Sequence, residues 1–401
     1  MTESLADNPT THSCVPTFDV DLHSPEMLSD PYPTYRRFRD AGPVIWLEAH
    51  QMFAVPRHAE AVEVLTRWKS FSSGQGVGMN DVVAQAARTT LQTDPPDHDT
   101  YRAIEGRPLL PNAVKALEPE LRELAVRTVD DLLSRARFDG VTELAQVLPL
   151  GIVANRVGLP AEGREQMLDW AAAGFDSFGM IENERTQRGL QTMRAASEYM
   201  QSVPGRLAPG GWADHLMQAG ERAGLDLQTR LTLISDYIYP SLDTTIHAIS
   251  AGLALFAANP DQWDLLRADR ALLPRAVSEV VRLASPILWF TRTVTDDHSL
   301  GDVVLPGGSR VVVLYGSANR DERRFPDPER FDITRPPNDQ IGFGRGKHSC
   351  MGMSVARLEM QVLFDVMADS VERIETGSWR RSVNNVLYGY EHLDVTFRPS
   401  G

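Results

Sequence analysis

Phe343-Gly-Arg-Gly-Lys-His-Ser-Cys-Met-Gly352 runs directly into the helical pattern Met353-Ser-Val-Ala-Arg-Leu-Glu-Met360. It sets one cysteine among glycines, directly ahead of a helix start. A thiolate can ligate iron. The glycines let the backbone pass close to a flat cofactor with no Cβ in the way. Spare N–H groups at the helix start stabilise a negative sulfur.

Composition limits what can surround such a loop. The chain has 401 residues, enough to bury a large core. A formal net charge of −14 argues against a general nucleic-acid binder, which needs a basic face. Cys14 and Cys350 are the two cysteines and make no disulfide framework, which fits a reducing cytoplasm. The N-terminal MTESLADNPTTHSC has no apolar core, so no secretory signal is expected. No run reaches the ~18 uninterrupted apolar residues that span a bilayer, so no membrane contact is expected either.

Along the chain, residues 1–25 read as a flexible lead-in and 26–401 as one domain. Residues 30–42 read as a short helix opened by prolines and closed by Gly42, and 44–55 as a two-stranded hairpin. Asp94-Pro-Pro-Asp-His98-Asp-Thr-Tyr-Arg102 opens a helix that carries His98 and Arg102 on one face, two donors suited to an acidic ligand. Residues 114–203 are helical in pattern, broken at Gly140, Pro160 and Gly179, and 205–224 read as a loop-rich hinge. The longest helical pattern, 227–258, is apolar on most sides and holds Tyr239-Pro-Ser-Leu-Asp-Thr-Thr245, so Pro240 is expected to kink it. An acid and a hydroxyl in so apolar a helix need a reason to exist. Glu279-Val-Val-Arg282 lies on the next long helix but one, and extended segments follow Ser285-Pro286 and end the chain.

The His98/Arg102 helix, the Asp243-Thr244 helix, Glu279/Arg282 and the cysteine loop, in that order, resemble the bacterial branch of the cytochrome P450 family over residues 25–399. The resemblance implies a mainly α, helix-rich single domain with small β-sheets. Heme b would lie between the long central helix and the helix after Cys350, with O2 as co-substrate. Cys350 would be the iron ligand. His98, Arg102, Arg292 and His348 would hold the heme propionates, and Phe343, Gly344 and Gly352 would pack around the cofactor. Asp243 and Thr244 would be the acid–alcohol pair that supplies protons for oxygen activation. Glu279 and Arg282 would be structural, with Arg323 or Arg330 completing their network. Ala/Gly-Gly normally precedes the acid–alcohol pair; Pro240-Ser241 stands there in this chain.

The same resemblance extends to a subgroup that oxidises para-substituted benzoates and methoxy-aromatics, through Gly76-Val-Gly-Met, Phe175-x-x-Phe178-Gly, Leu207-Ala-Pro-Gly-Gly and Asn384-Asn-x-Leu387. It implies substrate contacts at Arg88, Leu91, Phe175, Phe178, Ser241, Ile287, Phe290 and Leu387. The implied reaction is hydroxylation or O-demethylation of a small aromatic, with electrons from NAD(P)H through a ferredoxin reductase and ferredoxin. Arg345 and Lys347 are expected at the ferredoxin-docking face. Where the subgroup carries Arg-Ser, this chain has Ser235-Asp236, which leaves phenols, aryl phosphates and neutral methoxy-aromatics open beside benzoates. The reading from a different class is a non-catalytic heme-thiolate protein that binds ligands or senses gas.

Overall fold

The larger of two buried apolar clusters includes one long helix, Tyr239–Ala258. In the computed structural model, which describes residues 15–86, 88–336 and 339–400, its Leu242, Ile246, Ile249, Leu253 and Phe256 are buried at helical spacing. They meet the helices Met167–Asp176 and Leu273–Ala284 and the helical turn Gly140–Ala145. Phe256 stands edge-on to Trp263, Phe331 and Phe364 at centroid distances of 5.0, 5.2 and 5.5 Å. Residues 227–258 are apolar and long enough to cross a membrane by composition, yet more than half of that stretch is buried within the protein.

The kink expected at Pro240 is instead a break. One helix ends at Ser235, residues 236–238 turn, and a second helix starts at Tyr239. Pro240 therefore sits in a first turn, where its missing N–H has no partner to lose. Residues 205–224 also differ from the expected hinge, because Trp212–Arg222 is a helix with Ala213, Leu216 and Gly220 buried. Gly210 (φ +78°) and Gly211 make the turn that precedes it, and this glycine pair hid its start. Of the expected lead-in, residues 15–25 are built into the fold. Thr17–Phe18 pairs parallel to Ile45–Leu47, and Val15, Leu22 and His23 are buried.

A six-stranded sheet forms the second core. Its order is Thr17–Phe18, Ile45–Leu47, Met52–Val55, Arg310–Leu314, Trp289–Val294, Phe71–Ser72. The expected hairpin is present, with Trp46 opposite Phe53. Alternation along Trp289–Val294 puts Phe290 and Arg292 on one face. A long hairpin, Val371–Arg381 with Tyr390–Pro399, joins Phe138–Asp139 in a second sheet.

Glu279 and Arg282, both almost fully buried, form a two-point ion pair, with Nε and Nη2 donating to the carboxylate at 2.8 Å each. Arg282 also donates to the carbonyls of Asn319, Pro328 and Arg330, tying the helix Leu273–Ala284 to the segment before the cysteine loop. The second cation on Glu279 is Arg335, at 3.2 Å. Arg323 pairs with Asp321 and Glu322, and Arg330 contributes only its carbonyl. Arg282→Ala is expected to cost about 3–5 kcal/mol in urea unfolding, because it leaves a buried carboxylate short of its main partner. A loss below about 1 kcal/mol, the level of an exposed pair, would contradict this account.

Candidate active site

The cysteine loop is held by its own backbone. Cys350 N–H donates to Phe343 C=O at 2.7 Å, and Gly344 and Gly346 turn the chain at φ +67° and +69°. At Gly346 a Cβ would meet Leu65 O at 2.6 Å, so the loop can lie against its neighbour only with glycine there. The helix Met353–Ser370 begins immediately after Gly352. Burial pushes the Cys350 thiol up, while N–H groups of Gly352 and Met353 and the charges of Arg102 and Arg357 pull it down. The thiol is closed in by protein on its own side, and its exposed surface opens onto an internal cavity.

Across the cavity runs one stripe of the central helix: Pro240, Ser241, Thr244, Thr245 and Ala248. Thr244 Oγ1 donates to Pro240 C=O at 2.6 Å, which leaves its lone pairs to accept a hydrogen bond from the cavity. Asp243, one residue on, points elsewhere. It does not line the cavity and faces Asp176 and Asp169 on the helix Met167–Asp176. No hydrogen bond joins Asp243 to Thr244 among those of the described residues.

One end of the cavity is basic. Arg102, Arg292 and His348 line it, and the buried ring of His98 stacks edge-on to His348 at 4.6 Å. Nε2 of both histidines is buried without a hydrogen-bond partner. Arg102 and Arg292 donate to the carbonyls of Ser349 and Thr291, both at 2.7 Å, and among the described residues neither is paired with a carboxylate. His348 Nε2 lies 3.7 Å from Asp94 Oδ1, so the two unspent arginines and the unpartnered Nε2 of His98 are the donors left for a ligand with two carboxylates. A Cβ on Gly352, at the cavity wall, would meet no protein atom within 4 Å. The residues present fit a flat iron porphyrin, with Cys350 able to hold the metal.

Leu91, Phe175, Ser241, Ile287 and Phe290 all reach the cavity. Phe178 and Leu387 stand behind that wall. Phe178 packs edge-on to Phe290 at 6.0 Å, and Leu387 bridges Ile287 through the backbone. Arg88 is exposed and does not line the cavity. Thr90, expected with Arg88 and Thr89 in a loop of donors for a substrate anion, lines the cavity, but its hydroxyl donates to Glu105. Sequence reading gave no role to Glu105 or Trp212; Trp212 lines the cavity, and Glu105 is fully buried. Glu105 follows Arg102 by three residues on the same helix, so the spacing was visible while the burial was not.

Burial and the nearby Asp176 and Asp169 push the Asp243 carboxyl up from 3.8 to about 7. The folded protein therefore keeps a proton there that the unfolded chain has lost. The stabilisation is complete below the unfolded value and disappears as pH rises through about 7. The difference in unfolding free energy between the native sequence and Asp243→Asn should fall by about 1 kcal/mol between pH 6 and pH 8. Parallel pH profiles for the two proteins would place the proton elsewhere.

A cysteine that opens onto an internal cavity just ahead of a helix start, an anchor for two carboxylates and a facing helix with a cavity hydroxyl define a heme-thiolate protein. The family model for Cytochrome P450 matches residues 211–367. Cytochrome P450 CYP199A2 of Rhodopseudomonas palustris is 35% identical over 98% of this chain and 97% of its own length. Linalool 8-monooxygenase of Pseudomonas putida is 30% identical over 94% and 99%. Among solved structures, Mycobacterium marinum cytochrome P450 CYP268A2 in complex with pseudoionone superposes with a TM-score of 0.84 at 27% identity, covering 96% of this chain and 100% of that one. The chain belongs to the cytochrome P450 family. It is an oxidoreductase of the monooxygenase type that uses heme b and O2, acts on a small molecule and takes its electrons from a redox partner.

Proposed function

We propose that the protein, a single cytoplasmic domain, hydroxylates or O-demethylates a small aromatic compound, with electrons from NAD(P)H through a ferredoxin reductase and a ferredoxin. The observation that carries this reading is the cavity itself, where Leu91, Phe175, Ile287 and Phe290 form an apolar wall beside the Thr244 hydroxyl and facing the Cys350 loop. Bound there, heme supplies the activation of O2. The residues of the chain do the rest. Cys350 ligates the iron, and His98, Arg102, Arg292 and His348 fix the propionates. Phe343, Gly344 and Gly352 shape the proximal wall. Thr244 accepts and passes protons at Oγ1, with Ser241 on the same stripe, and Asp243 holds a proton near neutral pH on the far side of the helix.

For the electron donor, the proximal face offers Arg345 and Lys347, but Lys347 is paired with Asp99 at 3.0 Å. Arg107 and Lys115, exposed on segments packed against the Cys350 loop and its helix, extend the basic surface toward an acidic ferredoxin. The test is turnover of para-methoxy-aromatics with NADH, a ferredoxin reductase and a ferredoxin. Formaldehyde and the matching phenol, at a rate that falls with salt, are expected. No oxygenated product from any aromatic in the panel, in a protein with an intact heme-thiolate spectrum, would reject the aromatic reading.

A further inference from the structure

The cavity wall holds a feature that oxygen activation does not use. Asp236, in the turn between the two halves of the central helical run, lines the cavity, and Glu105 lies behind it with no exposed surface. Thr90 joins the two. Its N–H donates to Asp236 Oδ2 at 3.0 Å and its hydroxyl to Glu105 Oε2 at 2.6 Å. Tyr237 OH caps the Glu105 carbonyl at 2.8 Å, so the whole group is pinned. Glu105 Oε1 is buried with no donor of its own. A proton shared between the two carboxyls satisfies it. The protonation behaviour agrees, since burial and the neighbouring Asp236 push Glu105 well up, and burial pushes Asp236 up to about 7.

We propose that Asp236, backed by Glu105, is the specificity-determining acceptor of this cavity: it holds a hydrogen-bond-donating head group of the substrate, a hydroxyl or an amine, and turns away a carboxylate. A carboxyl group has about four lone-pair sites. Thr90 N–H and the proton shared with Glu105 use only part of that capacity, and the remainder faces the cavity. The surrounding wall of Leu91, Trp212 and Ile287 supplies no competing donor except the indole N–H. Among the described residues no cation is ion-paired with Asp236, and Arg102, the nearest basic group on the packed helix Asp97–Glu105, donates to Ser349 C=O. A carboxylate placed here would meet a like charge in a dry site with no counter-ion, whereas a donor head group would satisfy the acceptor. Asp236, in the turn, and Thr244, in the helix that follows it, both line the cavity. A ring with its donor at Asp236 can therefore present the group para to it toward Thr244. The proposal rests on the monooxygenase reading and names the substrate class for it.

The test measures calorimetric Kd values of the heme-loaded protein for 4-methoxybenzyl alcohol, 4-methoxybenzylamine and 4-methoxybenzoate. The alcohol or the amine is expected to bind at least about tenfold more tightly than the benzoate. In Asp236→Ser the benzoate should approach the alcohol, and in Asp236→Asn the amine should lose its advantage while the alcohol keeps its affinity. Benzoate binding as tightly as the other two, no binding of any of the three, or a ratio unchanged in Asp236→Ser would overturn the proposal. The native protein's ranking is informative even where a variant fails to load heme. A ferrous–CO spectrum taken on each sample keeps the two questions apart, because loss of thiolate ligation in the native protein speaks against the monooxygenase reading instead.

Discussion

Cys350→His should bind heme and lose oxygenase activity by at least about 10³-fold, a barrier increase of about 4 kcal/mol. The propionate end of the cavity does not depend on the cysteine. His98 and Arg102 come from another helix and Arg292 from a strand, so their donors remain, and His348, two residues before Cys350 in the same loop, keeps its ring. The variant therefore separates holding the cofactor from using it. A neutral imidazole lacks the electron donation of a thiolate, which is the property that favours O–O cleavage. Heme content, the ferrous–CO band and product formation measured on one sample check the claim. Activity within about tenfold of the native protein would mean that Cys350 does not supply the decisive ligand.

Thr244→Ala is expected to keep consuming NADH while product falls by about tenfold or more and hydrogen peroxide rises to match. The hydroxyl is already committed as a donor to Pro240 C=O, so its role toward the cavity is to accept a hydrogen bond and hold a proton-bearing partner in place. Alanine removes that acceptor from a stripe whose nearby Ser241 hydroxyl is already committed as a donor to the Tyr237 and Ile238 carbonyls. Thr244→Ser retains the oxygen and should recover most of the coupling. Unchanged product per NADH in the alanine variant would reject the role. Asp243 needs a different test, because it faces away from the cavity toward Asp169 and Asp176. Its contribution should appear in the pH profile of turnover and not in the spin-state response to substrate.

The cysteine loop was legible because its chemistry is local. Its glycines are required by positive φ and by close approach to Leu65, and both leave a mark in the sequence. The His98/Arg102 pair was legible for a similar reason, since four-residue spacing puts both on one face of the helix Asp97–Glu105. The acid–alcohol pair was legible as residues but not as geometry. Neighbours on a helix lie about 100° apart, and here Thr244 and Thr245 take the cavity side while Asp243 falls outside it. Arg335, not Arg323 or Arg330, reached Glu279 because the meander before the cysteine loop has no periodicity to read. The helix Trp212–Arg222 was concealed by its glycine turn, and Arg88 by the absence of any local signal for exposure. Asp236 was visible as an acid early in the helix. Its partner Glu105, 131 residues earlier in the chain, could be joined to it only by the fold.

Whether Cys350 presents a thiolate to heme iron is read in the ferrous–CO spectrum of the purified, heme-loaded native protein. A red-shifted band typical of thiolate ligation, lost in Cys350→His, is the predicted result. A band at the position given by histidine or neutral ligands in the native protein would contradict the account.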